Sequence, residues 1–142
     1  MRHRTVVRLN KRYQLLLADD DPGFRETIRW ILDPYFRLFE ANSGEEALAL
    51  SADERFDIAL LDMHMHHLTG LETLKALKSI NSVAPCILIT ADATEELRRD
   101  ATEAEAFSVL QKPISRLELM TTVSTALEEA YEDPDVFLPF SR

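Results

Sequence analysis

Five short, largely apolar runs recur along the chain, at Gln14–Ala18, Arg37–Ala41, residues 57–61, Cys86–Thr90 and residues 107–111. Each has the length of a buried strand rather than a helix, and helical patterns fill the gaps between them. Pro22–Leu32 carries Phe24, Ile28, Ile31 and Leu32 at helical spacing; Asp21 stands ready to cap it and Asp33-Pro34 to end it. Residues 45–52 are rich in Ala and Leu behind a Ser43 cap, with Glu46 three residues on. Gly70–Ile80 aligns Leu71, Leu74 and Leu77. Residues 94–106 have helical composition, but Leu97 is their only large aliphatic residue. Residues 115–131 carry a stripe of Leu117, Met120, Val123, Leu127 and Tyr131. Strict strand–helix alternation with short connections predicts an α/β, doubly wound, parallel sheet with helices on both faces.

A chain of 142 residues has room for one core. The expected organisation is a basic arm at 1–12, a domain at 13–131 and a tail at 132–142. No apolar run approaches the roughly 20 residues that cross a bilayer, and the start lacks the apolar core of a signal peptide. Membrane insertion is therefore not expected, and a cytoplasmic location is. Cys86, the one cysteine, lies in an apolar run and reads as a buried structural thiol. The net charge of −9 argues against direct nucleic-acid binding. Arg2, Arg4, Arg8, Lys11 and Arg12 are concentrated in an arm without acids. That arm reads either as a contact for an anionic partner or as a solvated terminus. In the tail, Val136, Phe137, Leu138 and Phe140 form an apolar group that either docks on the domain, engages a partner or stays exposed.

All strands of a parallel sheet end on one edge, where open α/β sheets place their ligands. Asp19 and Asp20 follow the first run, Asp62 the third; Thr90 ends the fourth and Lys112 follows the fifth. Three close carboxylates repel one another unless a cation shares them. All-oxygen ligation points to a hard divalent ion, Mg²⁺ above others. Asp62 beside such a cation can accept a phosphoryl group as an acyl phosphate, with Thr90 and Lys112 suited to hold phosphoryl oxygens. The first strand–helix turn, DDDPGF, is not the Gly-rich dinucleotide fingerprint.

LLLADDDPGFR, LLDMHM…G, ITA and QKP, in that order and spacing, resemble the receiver domain of bacterial two-component response regulators, the CheY-like family. The resemblance spans residues 13–131. It implies strand order 2-1-3-4-5, a flavodoxin-like arrangement, and a cis bond before Pro113. It makes Asp62 the phosphoacceptor, Thr90 the switch hydroxyl and Lys112 the phosphate-contacting lysine. Asp20 becomes a direct Mg²⁺ ligand, Asp19 acts largely through water, and the backbone carbonyl of His64 is the other protein ligand. The phosphoryl donor is then a histidine kinase or a histidine phosphotransfer protein, and an output protein receives the signal. The implied dimer surface is the face of the fourth helix, fifth strand and fifth helix. The chain is expected to be a stand-alone phosphorelay receiver rather than a turnover enzyme. The alternatives are a pseudo-receiver that only binds proteins and a Mg²⁺-dependent aspartyl-phosphate phosphohydrolase.

Two positions depart from the family pattern. His66 stands where a proline is usual, four residues after the acceptor. Val109 stands where an aromatic residue usually swings inward. Phe107 is expected on the same face as Val109, from strand alternation. By the resemblance, His64 and Asp92 flank the hydrolytic water and set the lifetime of the acyl phosphate. A zinc site in His64, His66 and His67 is disfavoured because no cysteine is near.

Overall fold

A computed structural model of the chain describes residues 13–136. Strands β1 (Gln14–Ala18), β2 (Arg37–Ala41), β3 (Ile58–Asp62), β4 (Cys86–Thr90) and β5 (Ser108–Gln111) form one parallel sheet in the order β2-β1-β3-β4-β5. Helices α1 (Pro22–Leu32), α2 (Gly44–Asp53), α3 (Gly70–Ile80), α4 (Glu95–Glu103) and α5 (Arg116–Tyr131) connect and follow them. The fold and strand order match the expectation.

Alternation along the strands divides the core into two layers. Leu15, Leu17, Ile58, Leu60, Ile87 and Ile89 pack with α1 and α5 through Ile28, Leu32, Leu119, Val123 and Leu127. Leu16, Ala18, Ala59, Leu61, Cys86 and Leu88 face the other way, toward Ala47, Leu74, Leu77 and Ala101. Strands β3 and β4 are buried at every position, which explains their nearly unbroken apolar sequences. Burial pushes the Cys86 thiol up to about 11, so it is a packing residue rather than a nucleophile.

Helix starts follow the capping chemistry. Asp21, Ser43, Thr69, Thr94 and Ser115 each accept a backbone N–H of the first turn. Thr69 and Glu72 complete a reciprocal capping box. Most helix and strand bounds fall within a residue or two of those expected. The third strand begins at Ile58, and Asp57 before it ties the strand to its neighbours. Its Oδ2 accepts Gln14 N at 2.7 Å and its carbonyl accepts the Tyr131 hydroxyl at 2.7 Å. Helix α4 ends at Glu103, short of residue 106, as Glu105 adopts a left-handed φ of 67°. Only Ala101 of α4 is buried, and Leu97 is partly so.

One expectation is corrected. Phe107 and Val109 lie on opposite layers: Phe107 packs with the α1/α5 layer and Val109 with the other. Phe107 precedes the first residue of β5, so strict alternation does not carry back to it. Of the tail, Val136 packs against the α1/α5 layer. Phe137, Leu138 and Phe140, like the basic arm at 1–12, lie outside the described residues.

The loop after β3 is closed by a backbone approach that only glycine permits. Gly70 N donates to the Met63 carbonyl at 2.9 Å. A Cβ on Gly70 would lie 2.4 Å from the Asp62 carbonyl oxygen and 2.9 Å from the Met63 Cα. These neighbours are backbone atoms and have little room to yield. Gly70→Ala is therefore expected to lower stability by about 1–3 kcal/mol, read as a reduced urea midpoint with an unchanged m-value.

Candidate functional site

Asp19 is the first residue past β1. Its backbone N–H is held by the Ala41 carbonyl at 3.1 Å, which ties it to the end of β2. Its Oδ1 accepts Asp21 N at 2.8 Å, so the start of α1 fixes the carboxylate's rotamer. Arg25 donates to the Asp19 carbonyl and also pairs with Glu40 at 3.1 Å, bracing the β1 and β2 ends from α1. Asp62 ends β3 and stands in register with Ile89 of β4. Asp19 is 1% exposed and Asp62 5%. Carboxylates this buried need a counter-charge.

Lys112 supplies it. Its backbone N–H donates to the Thr90 carbonyl at 2.7 Å, which fixes the residue just past β5. Its Nζ lies 3.1 Å from Asp19 Oδ2 and 3.3 Å from Asp62 Oδ1. The same Nζ lies 4.0 Å from the centroid of the Phe24 ring. Burial opposes the ammonium's charge, but the hydrogen bond and charge of Asp19, then those of Asp62, outweigh it and raise the Lys112 pKa. Burial, then the charge of Asp19, pushes the Asp62 carboxyl above the usual carboxylate range. Lys112 offsets part of this, and Asp20 adds a smaller upward push. One ammonium thus leaves the acidic cluster under-compensated.

Asp19, Asp20 and Asp62 each present an oxygen, all within 4.8 Å of one another. This is a hard, all-oxygen donor set with surplus negative charge, and it fits a divalent cation. Among the described residues no histidine or cysteine joins the group. His64, His66 and His67 are exposed, while Met65 between them is buried. His66 Nε2 lies 3.8 Å from Asp20 Oδ2, on the solvent side of the cluster. Thr90 is fully buried at the same sheet edge. Its hydroxyl is turned into its own loop, accepting Asp92 N at 3.1 Å and donating to the Asp92 carbonyl at 3.4 Å. The three acids and Lys112 are therefore brought together, and the Thr90 hydroxyl is engaged elsewhere.

The sequence reading missed two participants. Phe24 belongs to the apolar stripe of α1, yet its ring faces Lys112. Arg25 looks like a surface base, yet it braces Asp19. The signal available for both was their position, within the first turn after an acidic run that the topology directs to the ligand edge.

The response regulator receiver domain family matches residues 15–124. The chain is 31% identical over 119 residues to the transcriptional regulatory protein ZraR of Salmonella typhimurium, covering 83% of this chain and 27% of that protein. It is 30% identical over 129 residues to the sensory/regulatory protein RpfC of Xanthomonas campestris, covering 87% of this chain and 17% of that one. The chain thus spans about a quarter or less of these relatives. Among solved structures, the chemotaxis protein CheY4 of Vibrio cholerae superposes with a TM-score of 0.77 at 28% identity, covering 81% of this chain and 98% of that one. A CheY-like receiver domain protein from Methanospirillum hungatei shares the fold, with a TM-score of 0.81 at 24% identity over 84% of this chain and 97% of that one. The buried acid–lysine edge and the matched length lead to one conclusion: the chain belongs to the response regulator receiver domain family of two-component signalling.

Proposed function

We propose that residues 13–131 form a receiver unit that takes a phosphoryl group on Asp62 from a phosphohistidine of a histidine kinase or phosphotransfer protein. The observation that carries this reading is the buried Asp62 carboxylate, paired with Lys112 and crowded by Asp19 and Asp20. Asp62 supplies an oxygen lone pair to phosphorus; the P–N bond breaks, and the donor imidazole leaves with that electron pair. The product is an acyl phosphate on Asp62. Asp20 and Asp62, the His64 carbonyl, and Asp19 through water would hold Mg²⁺; when bound, the ion neutralises phosphoryl oxygens. Lys112 is released from part of its carboxylate pairing to meet the added charge. Thr90 reaches the phosphoryl only after its hydroxyl leaves Asp92. The domain modifies itself rather than turning over a substrate, and output passes to a partner protein. No helix among the described residues is long and apolar enough to cross a membrane.

Acetyl phosphate with Mg²⁺ is expected to add one phosphoryl mass to the protein, read by intact mass spectrometry, and none to Asp62→Ala. An unmodified wild type that also ignores beryllofluoride would turn the reading to a pseudo-receiver. Phosphate lifetime offers a second test. His64 and Asp92 are both exposed near the site. His64→Ala and Asp92→Ala are each expected to change the decay rate of the phosphorylated form severalfold, and unchanged decay in both rejects their role.

The acid cluster also makes a thermodynamic prediction. The native state holds the Asp62 proton to higher pH than the unfolded chain does. Stability of the metal-free protein therefore falls as pH rises from the ordinary carboxylate range through the elevated Asp62 pKa. In EDTA at neutral pH, Asp20→Asn is expected to stabilise by on the order of 1 kcal/mol, the size of a like-charge contact at this spacing in a high dielectric. The same variant is expected to weaken Mg²⁺ binding about tenfold or more. Denaturant melts with and without Mg²⁺ measure both.

A further inference from the structure

Lys112 Nζ lies 3.1 Å from Asp19 Oδ2, 3.3 Å from Asp62 Oδ1 and 4.0 Å from the Phe24 ring centroid. Two of these belong to the cluster that fits a divalent cation. A dication placed among those oxygens repels the ammonium and competes for the same lone pairs. The ring does neither. Its negative face attracts a cation without offering a metal ligand, and the attraction strengthens where water is excluded. The Lys112 side chain is only 23% exposed.

The ring's position is itself well determined. Phe24 is the third residue of α1, directly after the turn in which Asp21 N binds Asp19 Oδ1 and Gly23 N binds Asp21 Oδ1 at 2.9 Å. Phe24 also packs against the α1/α5 core layer. The acidic run that builds the cluster therefore also sets the ring.

We propose that Phe24 is a positioning residue for Lys112, its ring face keeping the ammonium at the acceptor when the carboxylates turn to a divalent cation. This rests on the reading of Asp62 as phosphoacceptor. Without the ring, Lys112 keeps its charge but loses a contact that cation binding leaves intact. The lysine then spends more time in solvent and meets the phosphoryl oxygens less often.

The test compares wild type with Phe24→Leu, which fills space without a ring, and Phe24→Tyr, which restores the ring. Phe24→Met is a second ringless variant should leucine impair folding. In Mg²⁺, beryllofluoride affinity is expected to fall about threefold to tenfold in the ringless variants and to recover in Phe24→Tyr, with Mg²⁺ affinity alone within about twofold of wild type throughout. The Lys112 ε-methylene proton resonances, shifted upfield by the ring in wild type with Mg²⁺ bound, are expected to move downfield in Phe24→Leu and return in Phe24→Tyr. A ringless variant that binds beryllofluoride as wild type does, or a tyrosine variant as weak as leucine, overturns the inference. A wild type that fails to bind beryllofluoride overturns the acceptor reading and this inference together.

Discussion

The site depends on burying two carboxylates against one ammonium. Asp19 follows β1, Asp62 ends β3 and Lys112 follows β5, so the contact exists only when the strands stand in the observed order. Charges this buried are tolerated when paired and costly when not. The pairing here is incomplete, because Asp20 stands beside the same two acids. Burial first, then the charge of Asp19, raises the Asp62 pKa, and Asp20 adds a smaller push in the same direction. An electrostatic conflict of this kind marks a place where local stability yields to function. Phe24 relieves none of the excess negative charge. It constrains only where the single positive charge can sit.

The backbone around Asp62 is held with a rigidity that its loop sequence does not suggest. Met63 N donates to the Ile89 carbonyl at 2.7 Å and the Met63 carbonyl accepts Gly70 N. The loop is thereby clamped at both ends, close against the peptide of Asp62. Met65 is buried between exposed histidines, which gives the MHMHH run one anchor and several solvated side chains. His67 takes a left-handed φ of 66°. The loop thus reaches Gly70 without a proline at position 66. The histidine run is a solvated rim beside the acidic cluster, and its one close approach to that cluster, among the described residues, is His66 to Asp20.

Much of this was legible because the pattern was consistent at several levels. The fully buried strands β3 and β4 had to be apolar until their last residues, Asp62 and Thr90, which carry the polar tips. The cap at Asp21 located the start of α1 to the residue, whereas Thr94 and Ser115, read as first helical residues, prove to be the caps that precede α4 and α5. Parallel topology then brought Asp19, Asp62 and Lys112 to one edge. What the sequence could not convey was the direction in which side chains leave an element's end. Phe107 and Val109 are close in the chain yet on opposite layers, because one lies before the strand. Asp57 looked like a strand residue but caps the amino end of β1. Phe24 was visible as an apolar position, and its contact with an ammonium depends on a rotamer and on a residue from the far end of the domain. The Thr90 hydroxyl bonds within its own loop, a choice of partner that residue type alone does not reveal.

The orientation of Thr90 gives the departure at Val109 a physical context. A chain of hydrogen bonds leads from Thr90 to α4. Asp92 N donates to Thr90 Oγ1 at 3.1 Å, Thr94 N donates to the Asp92 carbonyl at 3.2 Å, and Leu97 N donates to Thr94 Oγ1 at 3.0 Å. The last of these is the N-cap of α4. Rotation of the Thr90 hydroxyl toward Asp62 breaks the first bond and frees the segment that holds the second. The helix beyond is fixed to the core by Ala101 and the partly buried Leu97, so little apolar burial opposes its movement. A large aromatic residue at position 109 is one means of coupling a switch hydroxyl to a surface. Here a hydrogen-bonded path already joins Thr90 to Thr94 at the start of α4, and the residue at 109 is a small valine packed in the opposite layer to Phe107.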